Sequence, residues 1–98
     1  MKAVLFAAIA LSGAGHSPEI DGADLTLSAP AKHADYIIDG AYWTCHDTQC
    51  HSASVADRPV LYQCMHIVEQ TGAATALTYR GQALSTDDLA KCNTRARS

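Results

Sequence analysis

Four cysteines, Cys45, Cys50, Cys64 and Cys92, stand in a chain of 98 residues, and no other property narrows the possible folds so sharply. An even set in a short exported chain reads as two disulfides formed in an oxidising compartment. Export is indicated by the first fifteen residues. Met1-Lys2 is a positive start, Ala3 to Leu11 is an unbroken apolar run, and Ser12-Gly13-Ala14-Gly15 supplies small residues for cleavage. That is the layout of a secretory signal peptide, and the run is far shorter than the roughly 20 residues needed to span a bilayer. The expected localisation is periplasmic or secreted, with no membrane span.

Cleavage after residue 15 leaves about 83 residues, one domain at most. A domain of that size buries only about 60% of its unfolded surface and gains much from covalent ties. Without Lys2 there are six Lys and Arg against ten Asp and Glu. The basic residues are scattered until the last few positions, which argues against nucleic acid or an anionic membrane as partner.

Four cysteines allow three pairings. Loop entropy does not select one: it gives about 2 kcal/mol for 45–50 and about 3.6 for 64–92, against about 3.3 to 4.1 for the longer alternatives. Local patterning bears on the choice. Asp39-Gly40 lies between the β-branched and aromatic run Asp35 to Ile38 and the run Ala41 to Cys45, a strong hairpin signal because a type I′ turn needs positive φ twice. A second turn over His46-Asp47-Thr48-Gln49 sets Cys45 across from Cys50, within disulfide reach. Tyr36, Ile38, Trp43, Cys45 and Cys50 then share one face.

Asp57-Arg58-Pro59 is expected to open a helix with Asp57 as N-cap. Val60, Leu61, Cys64, Ile67 and Val68 follow at helical spacing, and Gly72 is a natural stop. Ala73 to Tyr79 is a strand candidate, with Ala74, Ala76 and Thr78 alternating against Thr75, Leu77 and Tyr79, and Arg80-Gly81 turns it back. Ser85-Thr86-Asp87-Asp88 resembles a capping box for a short helix ending at Cys92-Asn93. There Cys92 meets Cys64 and the second bond closes. The fold expected is α+β: a small antiparallel sheet of four to five short strands, one longer and one short helix, disulfide-stapled. Residues 1–15 are the signal peptide, 16–32 a flexible leader in which Leu25-Thr26-Leu27 forms at most an edge strand, 33–93 the domain, and 94–98 a disordered tail.

The chemical readings start from Cys45-x4-Cys50-His51. It resembles a longer-spaced variant of the C-x-x-C-H haem attachment found in some multihaem cytochromes, with His51 proximal and Met65 or His66 distal. A zinc site from Cys45, His46, Cys50 and His51 would need neighbouring strand residues, which point to opposite faces, to converge on one ion. A reactive dithiol wants C-x-x-C at a helix start, and Ser52, Ser54 and Ser85 lack a nucleophile-elbow context. Asp87 and Asp88 suit the helix dipole better than acid–base work. The expectation is therefore a non-enzymatic module with no cofactor or metal, working with an unknown protein or envelope partner. The alternative is a haem or metal carrier.

Asp39-Gly40, Trp43-x-Cys45, Cys50, the helix from Arg58-Pro59 through Cys64 to Gly72, and the close Thr78-Tyr79-x-Gly81, Leu84, Leu89-x-x-Cys92-Asn93 together look like a family of small exported proteobacterial proteins with four cysteines and no assigned function. The resemblance covers most of residues 24–93. It implies that the residue after the second cysteine varies, which would make His51 incidental, and it brings no substrate.

Overall fold

A computed structural model describes residues 20–97; the expected signal peptide lies outside them. In chain order the elements are β1 (Ala23–Leu27), β2 (Asp35–Ile38), β3 (Ala41–His46), β4 (Gln49–Ser52), α1 (Val60–Thr71), β5 (Ala74–Tyr79), β6 (Gln82–Ala83) and α2 (Thr86–Asn93). The strands form one antiparallel sheet in the order β2-β3-β4-β1-β5-β6. The α+β class and both helices stand as expected, with six strands rather than four or five.

Turn chemistry builds the hairpins. Asp39-Gly40 and Arg80-Gly81 hold φ of 50° and 82°, and 49° and 82°, the paired positive values of a type I′ turn. Between β3 and β4 Asp47 has φ 60°. These turns fix the register, pairing Tyr36 with Trp43 and Cys45 with Cys50. Alternation then sends Ile38, Trp43, Cys50, Leu25, Leu77 and Tyr79 to one face, where they form a core with Cys64, Ile67, Val68 and Cys92. The helices cover this face, and no described helix covers the other.

The leader expectation needs correction. β1 is no edge strand but lies between β4 and β5, and Ala23, Leu25 and Leu27 are all buried. Its alternation is perfect but only five residues long, and polar, loop-like sequence on both sides masks it. The ordered domain therefore reaches back past residue 33: Asp21 already accepts a hydrogen bond from Val55 N at 2.7 Å. The tail is corrected too. Arg97 N donates to Val68 O at 3.1 Å and Arg97 Nε to Glu69 O at 3.0 Å, so the C-terminal residues clasp the end of α1 and satisfy carbonyls that a helix terminus leaves open.

Two boundaries also differ. Pro59, not Asp57, occupies the N-cap position of α1, with no side-chain cap. Proline holds the residue before it away from helical angles, so Arg58 and Asp57 stay outside, and Asp57 instead faces Arg80 at 3.7 Å. In β5 the register shifts between Thr26 and Leu27, whose partners are Ala76 and Ala74. The bulge at Thr75 turns Ala74 to the same buried face as Leu77 and Tyr79. Asn93 holds the bulge in place: its amide donates to Ala74 O at 2.8 Å and accepts from Ala74 N at 2.9 Å. α2 is capped as expected, Ser85 Oγ accepting from Asp88 N at 3.1 Å.

Tyr79, fully buried, donates its hydroxyl to Ala56 O at 2.6 Å. Burial pushes its pKa above the usual 10.0, against the pull of Arg58 and Arg80. A raised folded-state value means that the stabilisation is complete below pH 10 and is lost as pH rises through the folded pKa. The urea midpoint should hold to about pH 9–10 and fall beyond it, and Tyr79→Phe should flatten that fall. The Asp35 carboxylate raises the Tyr42 pKa as well, so the comparison is made in a Tyr42→Phe background. An unchanged alkaline slope in Tyr79→Phe would exclude this cause.

Candidate functional site

The β3–β4 hairpin carries the cysteines and histidines of the chemical readings. Its inward side chains are Trp43, Cys45, Cys50 and Ser52, with Cys45 partly open to solvent at the margin of the core. Its outward ones are Tyr42, Thr44, His46, Gln49 and His51, all exposed. Disulfides join Cys45 to Cys50 and Cys64 to Cys92, with Cα–Cα distances of 4.0 and 5.7 Å. Cys45 and Cys50 occupy the position next to the pair that closes a two-residue turn, where facing strands approach most closely.

This geometry brings together the cysteines but not the haem or zinc sets. Each sulfur of Cys45 and Cys50 is committed to the other. Cys50 points into the core while His51 points out, where its Nδ1 lies 2.8 Å from Asp24 Oδ1 on β1. Of the suggested distal ligands, His66 sits on α1, with Nδ1 3.0 Å from Asp39 Oδ2 and its ring 4.4 Å from that of Tyr62. Among the described residues no group of three or more His, Cys, Asp or Glu is placed to hold a metal ion. Ser52 is buried and donates to Tyr42 O at 2.7 Å, tying the hairpin rather than facing a base.

Two features escaped the sequence reading. The first is a pair of large side chains on the bare face: Ile37 stands opposite Tyr42 across β2 and β3, and the two are 68% and 55% exposed. The Tyr42 hydroxyl donates to Asp35 Oδ1 at 2.7 Å, which fixes the ring over the sheet edge. Period-two alternation contained this signal, because a β-branched residue and an aromatic paired on the solvent side have no core to explain them. The second is a cleft between the loop after β1 and the end of α1, bounded by Ser28, Pro30, Lys32, Thr71, Gly72 and Arg97. It joins segments far apart in the chain, and no local pattern marks it.

The two disulfides differ in accessibility, since Cys64 and Cys92 are wholly buried whereas Cys45 is not. Thiol exchange needs an attacking thiolate to reach a sulfur. A mild dithiol, followed by alkylation and peptide mapping, should therefore label Cys45 and Cys50 well before Cys64 and Cys92. The partly reduced protein should stay folded, having lost about 2 kcal/mol. Simultaneous labelling of all four would show that global unfolding, and not local access, limits reduction.

A model of a family of unknown function, DUF8200, matches residues 3–94. No curated protein and no solved structure matches the chain.

Proposed function

Because the chain belongs to DUF8200, a family of unknown function, we propose from its own geometry that it is an exported, non-enzymatic interaction module of an oxidising compartment, periplasmic or extracellular. The observation that carries this reading is the pairing of all four cysteines with none left free; in a reducing cytosol such bonds do not persist. The sheet supports the second half of the proposal. Helices cover one face, and the other presents Ile37 and Tyr42 side by side at the β2 edge. Aromatic and aliphatic side chains held rigid on a strand serve as anchors for a protein partner, and an envelope protein is the partner that an exported module meets. No described helix is long and apolar enough to cross a membrane.

The test has two arms. Fractionation of the native host with thiol blocking should recover an exported form lacking about fifteen N-terminal residues, with no alkylatable thiol. A photo-crosslinking residue at position 42 should then trap a partner that the same residue at Thr78, farther across the bare face, does not. A cytosolic protein with four free thiols overturns the reading of the compartment, and equal crosslinking overturns that of the surface. A haem carrier would announce itself in the same preparation by a Soret band.

A further inference from the structure

Six Lys and Arg lie among the described residues, and their partners divide them into two groups. Arg80 lies 3.3 Å from Asp21, Lys91 3.9 Å from Asp88, and Arg95 3.3 Å from Glu69. Lys32, Arg58 and Arg97 have no carboxylate within 4.0 Å among the described residues. Two of these three, Lys32 and Arg97, line the same cleft, and no acidic side chain shares its walls. In a protein with more acids than bases, that arrangement leaves a local positive field that no acidic side chain among the described lining residues offsets, the nearby Glu69 carboxylate being paired with Arg95.

The cleft is built rather than incidental. Ser28 N and Oγ both donate to Ala73 O, at 2.9 and 3.3 Å, which pins the loop after β1 to the segment after α1. Arg97 is held over the helix end by its two bonds to Val68 O and Glu69 O. Those bonds matter electrostatically, because the C-terminus of a helix ordinarily repels an anion. Here Val68 O also receives Gly72 N, so the last turn has spent part of its negative potential on internal donors. The remaining guanidinium nitrogens of Arg97 are a planar fork, suited to a carboxylate. Between the two cations the walls are largely apolar, formed by Ala29, Pro30 and Ala73 among others, around a volume of about 290 Å³.

We propose that this cleft binds a small organic carboxylate, its anionic group between Lys32 and Arg97 and its apolar body against Pro30 and Ala73. The site is separate from the sheet face that carries the proposed module function and does not depend on it. Concave, mostly apolar sites with a few convergent polar groups are the usual form of small-ligand pockets, and this one is sized for a short chain or a single ring.

The experiment is an amide chemical-shift titration of the full oxidised protein with hexanoate, hexanamide and inorganic phosphate. Hexanoate should shift the amides of Ser28 to Lys32 and Gln70 to Ala73, and its binding should weaken about tenfold in Lys32→Gln or Arg97→Gln, as expected for one charge-assisted hydrogen bond. Added salt should weaken it further. Equal binding of hexanamide would show that charge plays no part, and equal binding of phosphate that the apolar walls play none; either overturns the assignment. So does hexanoate binding that is unchanged in both variants. Arg97→Gln keeps the backbone bond to Val68 O, and near-ultraviolet dichroism of each variant confirms that the fold is intact.

Discussion

Replacing Cys64 and Cys92 together by alanine should lower the unfolding free energy by about 3.6 kcal/mol through the lost loop constraint alone. In a domain of this size that corresponds to a fall in Tm of about 15–30 °C. The bond ties α1 to α2 across 28 residues of chain, and both sulfurs are wholly buried at the centre of the core. α2 has only eight residues, too few to persist as an isolated helix. Its other ties are the Asn93 bonds to Ala74 and the packing of half-buried Leu89. Against a total stability of about 5–15 kcal/mol, the loss should leave a protein that is folded at low temperature but opens its C-terminal third first. Urea melts followed by far-ultraviolet dichroism measure the loss, and amide exchange locates it. A double variant within about 1 kcal/mol of the parent would show that the unfolded chain is already compact there.

The ease with which each part of the fold can be read from sequence follows the range of the interactions that fix it. The hairpins are legible because Asp39-Gly40 and Arg80-Gly81 are local instructions, satisfied by two residues whatever surrounds them. Cys45 and Cys50 follow from the same arithmetic. α1 is legible from its apolar spacing, yet its start is not, because Pro59 excludes Asp57 from the helix and Arg80, distant in sequence, draws Asp57 away. Gln63 lies outside the expected apolar stripe but is buried, and its Oε1 has no hydrogen-bond partner among the described residues; burial on all sides comes from packing that no periodicity encodes. β1 is the sharpest case. Five residues in a polar stretch become an interior strand only because β4 and β5, 22 and 47 residues downstream at their nearest approach in sequence (Leu27 to Gln49, Leu27 to Ala74), both lack a second neighbour. The cleft is the same lesson at the level of the site. Lys32 and Arg97 read separately as a loop cation and a solvated tail, and only the clasp of the C-terminal residues on α1 brings them together.

Trp43→Ala should be as damaging as loss of the buried disulfide, costing about 3–5 kcal/mol, the range for removing a large aromatic from a core. Trp43 is 2% exposed and sits in β3 between Tyr42 and Thr44, both of which face solvent. Its cross-strand partner is Tyr36 on β2, an edge strand whose other side has no neighbour in the sheet. With the indole gone, β2 keeps its turn and its ladder but loses much of the surface that holds it against the core, so the edge should fray before the centre. The informative companion is Tyr42→Ala, one residue earlier on the same strand. Removing that exposed ring forfeits the bond to Asp35 and should cost less than about 1 kcal/mol. The contrast tests the pleat directly, since a slip of β3 by one residue against its neighbours β2 and β4 would exchange the two side chains between core and solvent. Urea midpoints for both variants decide it: near-equal losses would mean that the faces are misassigned. If the contrast holds, Tyr42→Ala leaves the fold standing with the proposed anchor removed, and loss of crosslinked partner in that variant then reports on binding rather than on unfolding.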